Sequence, residues 1–181
     1  MPAITDAEIV EALKHNGEKG FRLLMTKYKE QVYWHIRRLV VVHDDAQDAA
    51  QETFIRVFKS IGQYRGEASL GTWIYRIATN EALRMLNQQR IKQALSLDDV
   101  AVEAIQLSAD NYVDYTDLEA IKLQRAIHSL PTKQQLAFNL RYYDELPYED
   151  IAQITGTSVG SVKANYHIAK EKVIKYMQTT L

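Results

Sequence analysis

Tyr148-Glu-Asp-Ile-Ala-Gln-Ile-Thr-Gly156-Thr-Ser-Val-Gly-Ser-Val-Lys163 reads as a helix, a tight turn and a second helix. Gly156 supplies the left-handed residue that ends the first helix, and Ser158 is placed to cap the second. Val159, Val162, Tyr166, Ala169 and Val173 then recur at three- and four-residue spacing as an inward face. The opposite face carries Ser161, Lys163, Asn165, His167 and Lys170, donors suited to phosphates and base edges when a helix enters a major groove. Spacing alone also fits a hairpin of helices that only packs, so this stretch fixes a helix pair and leaves its use open.

Outward from this stretch the chain is helical in composition. Three Pro and seven Gly in 181 residues, an apolar fraction of 46% and abundant Ala, Leu, Glu, Gln and Lys predict an all-α fold. The absence of Cys excludes a disulfide framework and thiolate metal sites, and it suits a reducing cytoplasm. No signal peptide or run of roughly 20 apolar residues is visible, so no membrane insertion is expected. The five His show no ligand spacing, and no metal or other cofactor is expected. No P-loop, Gly-x-Ser-x-Gly or His-Glu-x-x-His pattern occurs, which argues against an enzyme.

Charge divides the chain. The totals are 22 basic and 23 acidic residues, too balanced for a typical freestanding DNA binder. Yet residues 93–121 hold seven acids and no base, leaving 22 basic against 16 acidic residues elsewhere. Two small helical domains follow, residues 1–92 and 118–181, joined by an acidic linker at 93–117, with the helix-turn-helix in the second. In the first, helices are expected over 6–14, from about Phe21 to Leu39, from Asp44 to Ile61 and from about Leu70 to Ile91, with a break at Val40-Val41-Val42 and a loop over 62–69. In the second, helices are expected from Leu118 to the stop at Pro131, then around Leu136, Leu140 and Tyr143 up to Pro147.

Three segments in order carry a family likeness: Asp48-Ala-Ala-Gln-Glu-Thr-Phe-Ile-Arg-Val-Phe, then Tyr64-Arg-Gly-Glu-Ala-Ser-Leu-Gly-Thr-Trp-Ile-Tyr-Arg-Ile-Ala-Thr-Asn80, then Leu130-Pro with Tyr148-Glu-Asp-Ile-Ala and Ser158-Val-Gly-Ser-Val-Lys. Together they resemble the extracytoplasmic-function sigma factors, the small promoter-specificity subunits of bacterial RNA polymerase. The likeness covers about residues 20–92 and 119–178.

That resemblance implies partners and site residues. Asp48, Gln51 and Glu52 would dock on the β′ clamp of core RNA polymerase, with a further contact to the β flap; without the likeness they read as a solvated acidic face. Tyr64, Arg65, Trp73, Tyr75, Arg76, Asn80 and Arg84 would open and read the −10 element, Asn80 holding a flipped base and the arginines, Arg90 among them, holding phosphates. Bases leaving the stack cost a few kcal/mol each unless aromatic faces replace the lost stacking. Core packing is an equal reading for Trp73.

Arg141, Ser161, Lys163, Asn165, His167 and Lys170 would serve the −35 element as duplex. Relatives often carry Val-Lys-Ser-Arg and Arg-Ala-Arg where this chain has Val162-Lys-Ala-Asn and Ile168-Ala-Lys, so its promoter preference does not transfer. The likeness further implies an anti-sigma protein, which could hold this cytoplasmic chain at the inner membrane. The negative charge of the linker suggests a hypothesis: residues 98–114 occupy the basic RNA-exit path of the polymerase. The competing reading is a helix-turn-helix regulator that binds operator DNA without polymerase; a helical adaptor that binds only protein is a third.

Overall fold

The Val40-Val41-Val42 run ends the long second helix: Val40 and Val42 adopt extended dihedrals, as β-branched side chains prefer, and the chain turns there. A computed structural model describes residues 2–94 and 117–179, all helices and connections. The first lobe holds α1 (Asp6–His15), α2 (Gly17–Leu39), α3 (His43–Ser60), a 3₁₀ turn (Ile61–Gln63) and α4 (Leu70–Ala94). The second holds α5 (Leu118–His128), α6 (Thr132–Tyr142), α7 (Tyr148–Thr155) and α8 (Val159–Gln178). The acidic segment 98–114 lies outside the described residues. Among the described residues no helix is long and apolar enough to cross a membrane.

Several starts have a local cause. Thr5 and Glu8 form a reciprocal capping box on α1, and Asn16 caps α2 by accepting from the Lys19 amide. Helix α3 has no side-chain cap and instead places Asp44 and Asp45 in its first turn, against the positive end of the dipole. Gly156 sits at φ 69°, and Ser158 accepts from the Ser161 amide, so the turn between α7 and α8 is built as its sequence predicts.

The first lobe's core joins Ile9, Leu24, Val32, Ile36, Phe54, Val57, Ile74 and Ala78. The N-terminal helix is part of it, since Ile9 is fully buried and Leu13 nearly so. Burial of such a side chain stabilises by about 1.5–3 kcal/mol. Helices α1 and α2 meet so closely that a Cβ on Gly20 would stand 2.4 Å from the Leu13 amide nitrogen. Asp6 completes the join, accepting from Lys27 at 2.8 Å and from the Tyr28 hydroxyl at 2.7 Å.

The second lobe packs Ala126, Ile127, Phe138, Ala169 and Val173 in one cluster and Leu140, Ile151, Ile154 and Val162 in another. Tyr75 of α4 enters the latter, while Leu136 of α6 enters the first lobe's core. The lobes therefore share buried side chains along a seam of α2 and α4 against α6 and α7.

Candidate nucleic-acid interface

Helix α3 buries Ala46, Ala49, Ala50, Thr53, Phe54 and Val57. Asp48 and Gln51 are exposed, and Glu52 is half-buried beside Arg56 at 3.3 Å. At the next positions of the same helical face stand Ile55 and Phe58, each 43% exposed. Phe58 meets Phe21 edge to face at 6.1 Å between centroids, closing an apolar shelf beside the carboxylates. The three- and four-residue spacing that groups the polar residues runs on to both apolar ones, so the sequence alone could have marked them.

The Tyr64 to Arg90 segment is a loop running into α4. Ser69 starts the helix by accepting from the Thr72 amide at 3.1 Å. The Tyr64 hydroxyl donates to the Ala68 carbonyl at 2.7 Å, and its ring lies 5.1 Å from that of Trp73. Partial burial raises the Tyr64 pKa. Trp73 is half-buried against the core, which reconciles packing with a face open to solvent. Arg65, Arg76, Asn80, Arg84 and Arg90 are exposed. Arg90 donates to Thr132 of the second lobe at 3.1 Å. Arg84 grips Glu81 through two nitrogens, at 2.8 and 3.1 Å.

Tyr75 is placed differently from its neighbours. It is only 6% exposed, packed under α6 and α7, and its hydroxyl donates to Asp144 at 3.2 Å. Burial and the adjacent Asp144 carboxylate raise its pKa. Arg38 contacts the same carboxylate at 3.3 Å, and Gln135 donates to the Arg38 carbonyl. Burial raises the Asp144 pKa against the opposing pull of Arg38. His35 is fully buried beside this group, with Nε2 paired to Thr79 at 2.8 Å and Nδ1 unpaired, 3.9 Å from Asp144. Burial holds the His35 pKa down at about 3, so the ring is neutral and this is no ion pair at neutral pH.

On α8 the projecting face predicted from spacing is present. Lys163, His167 and Lys170 are exposed, with Ser161 and Asn165 half-buried. The Lys163 ammonium stands 5.7 Å from the Tyr148 ring centre, and His167 lies 3.2 Å from Glu171. Arg141 stacks on Tyr148 at 4.7 Å and donates to the Leu146 carbonyl at 2.9 Å, so it braces the turn between α6 and α7. The start of α4 and the α7–α8 turn line one cleft of about 610 Å³, with Trp73 and Arg76 on one wall and Gln153, Thr157 and Ser158 on the other.

This sequence matches the model of sigma-70 region 2 over residues 24–91 and that of sigma-70 region 4 over residues 120–173. It is 33% identical to the ECF RNA polymerase sigma-E factor of Haemophilus influenzae, over 97% of this chain and 96% of the relative. It is 32% identical to the RNA polymerase sigma-H factor of Pseudomonas aeruginosa, over 97% and 95% respectively. Its fold resembles that of CnrH in complex with the cytosolic domain of CnrY, with a TM-score of 0.71 at 15% identity over 94% of this chain and 95% of that one. A sigma factor RpoE in complex with the anti-sigma factor NepR from Bartonella quintana also aligns at 0.71, with 19% identity over 90% of this chain and 99% of that one. Two regions matched in order, and relatives matched nearly end to end, place the chain in the sigma-70 family, among the ECF RNA polymerase sigma factors.

Proposed function

We propose that this chain joins core RNA polymerase and directs it to promoters, opening the −10 element with its first lobe and gripping the −35 element with its second. The chemistry of RNA synthesis belongs to the polymerase. Residues 1–92 form the polymerase-binding and −10 unit, 93–117 the linker and 118–181 the −35 unit. Asp48, Gln51 and Glu52, extended by Ile55 and Phe58, form the face for the β′ clamp, and the second lobe meets the β flap.

Tyr64, Trp73 and Asn80, with Arg65, Arg76 and Arg84 around them, receive the opened strand. Tyr75 joins them once α7 has moved away. Ser161, Lys163, Asn165, His167 and Lys170 read or hold duplex, and Arg141 acts through the turn that it braces. The observation that carries this reading is the pairing of an exposed α3 docking face and a projecting α8 face in a chain with both sigma-70 regions.

A protein of anti-sigma type that covers these surfaces is the second partner; the RpoE sigma factor that shares this fold is in complex with an anti-sigma factor. Such a partner would keep the chain in the cytoplasm or, if itself anchored, at the inner membrane. Gel filtration with bacterial core RNA polymerase tests the reading. Co-elution that Asp48→Arg with Glu52→Arg abolishes supports it. Failure to co-elute, with salt-sensitive duplex binding by the protein alone, points instead to a regulator that works without polymerase.

A further inference from the structure

Glu81 follows Asn80 on α4, yet it points inward, with a side chain only 5% exposed. A buried carboxylate needs compensating cations. Two guanidinium groups supply them: Arg84 from the next turn of α4, at 2.8 Å, and Arg56 from α3, at 2.6 Å. Arg56 has a second acidic neighbour, Glu52, four residues earlier on its own helix at 3.3 Å. One cation therefore lies between a docking-face carboxylate and a buried carboxylate of the DNA-reading helix.

The two contacts are unequal. The Glu81 contact is shorter and lies in a site of lower dielectric, where Coulomb attraction is stronger. The Glu52 contact is an ordinary exposed pair of the kind that contributes little. Resting on the sigma-factor reading above, we propose that Glu81 is a positioning residue: it shares the Arg56 guanidinium with Glu52 and takes the shorter contact, which weakens the Arg56–Glu52 pair and keeps the Glu52 carboxylate available to the polymerase, and it fixes Arg84 beside Asn80. Without Glu81, Arg56 pairs with Glu52 alone, in the favourable spacing of four residues on a helix. Arg84 then loses its two-nitrogen anchor.

The test measures affinity for bacterial core RNA polymerase by fluorescence anisotropy of the labelled full chain. Glu81→Gln is expected to weaken binding about fivefold, the scale of one charged contact. The loss should return to within about twofold of wild type when Arg56→Ala is added, and it should vanish in a Glu52→Gln background, because coupled residues are non-additive. Arg56→Ala alone, which does not depend on how Glu81→Gln folds, should bind core at least as tightly as wild type.

Wild-type affinity in Glu81→Gln, persistence of its loss after Arg56→Ala, or weakened binding by Arg56→Ala alone overturns the proposal. If the wild-type chain does not bind core at all, the sigma-factor reading itself fails, and the two failures are thereby distinguished.

Discussion

Tyr75 donates its hydroxyl hydrogen to Asp144 at 3.2 Å, so an aromatic side chain from α4 ends on a carboxylate of the other lobe. Arg38 contacts the same carboxylate at 3.3 Å, and Leu140, Ile151 and Ala152 cover the ring. The arrangement has a geometric consequence. Elements centred near −10 and −35 lie about 25 base pairs apart, roughly 85 Å along B-DNA at about 3.4 Å per pair. A compact globule of this size has a radius of gyration of only about 16 Å. On the proposed function the lobes must separate for both elements to be held, and that separation would uncover Tyr75.

Charge reversal at this seam should drive that separation without polymerase. Asp144→Arg faces Arg38 and leaves the Tyr75 hydroxyl without its acceptor. Small-angle X-ray scattering should show a radius of gyration at least about 3 Å above the compact value of about 16 Å. An unchanged radius would mean that apolar contacts alone hold the seam.

Acid should loosen the fold. Burial holds the pKa of His35 at about 3 and that of the largely buried His128 at about 4, both below the ordinary 6.5. Between these limits the unfolded chain binds more protons than the folded one. The stability of the neutral rings is therefore complete above about pH 6.5 and falls as pH drops, by up to about 1.4 kcal/mol per unit for each histidine. Asp144, its pKa raised, works in the opposite direction, but it is one group against two. Urea unfolding at pH 7.5, 6.0 and 5.0 should show this decline, and a flat profile would refute it.

The N-terminal helix should prove part of the folding unit. Ile9→Ala empties a fully buried site and should cost about 2–5 kcal/mol. Gly20→Ala forces a methyl group against the α1 backbone and should cost at least about 1–3 kcal/mol. Thermal unfolding of both variants checks this, and wild-type midpoints would show α1 to be peripheral.

On α8 the cap and the proposed reading face should separate cleanly. Ser158→Ala removes the cap on the Ser161 amide and should destabilise by about 0.5–2 kcal/mol. Lys163→Ala should leave stability within about 0.5 kcal/mol of wild type. It should instead weaken promoter binding by the polymerase-bound protein. Paired melting and footprinting distinguish the two roles.

Much of this was legible from local pattern. Gly156, Ser158 and the α8 stripe read correctly because caps and helical periodicity act within a few residues. The break at Val40 and the starts near Asp44, Leu70 and Leu118 were legible for the same reason. The seam was not. Asp144 meets Arg38 across 106 positions and Tyr75 across 69, and no periodicity encodes pairs that distant. Tyr75 reads as one more aromatic residue beside Trp73, and only the second lobe's position buries it. Glu81 fell between the two cases: its spacing to Arg84 is visible on one helix, but its approach to Arg56 depends on how α3 packs against α4.

Run-off transcription with this chain, bacterial core RNA polymerase and a library of bacterial genomic promoters tests the central claim most directly. Discrete new start sites, absent with core alone and lost with Asp48→Arg and Glu52→Arg, are the predicted result. A transcript pattern identical to that of core alone, from a chain shown to be folded, would contradict the account.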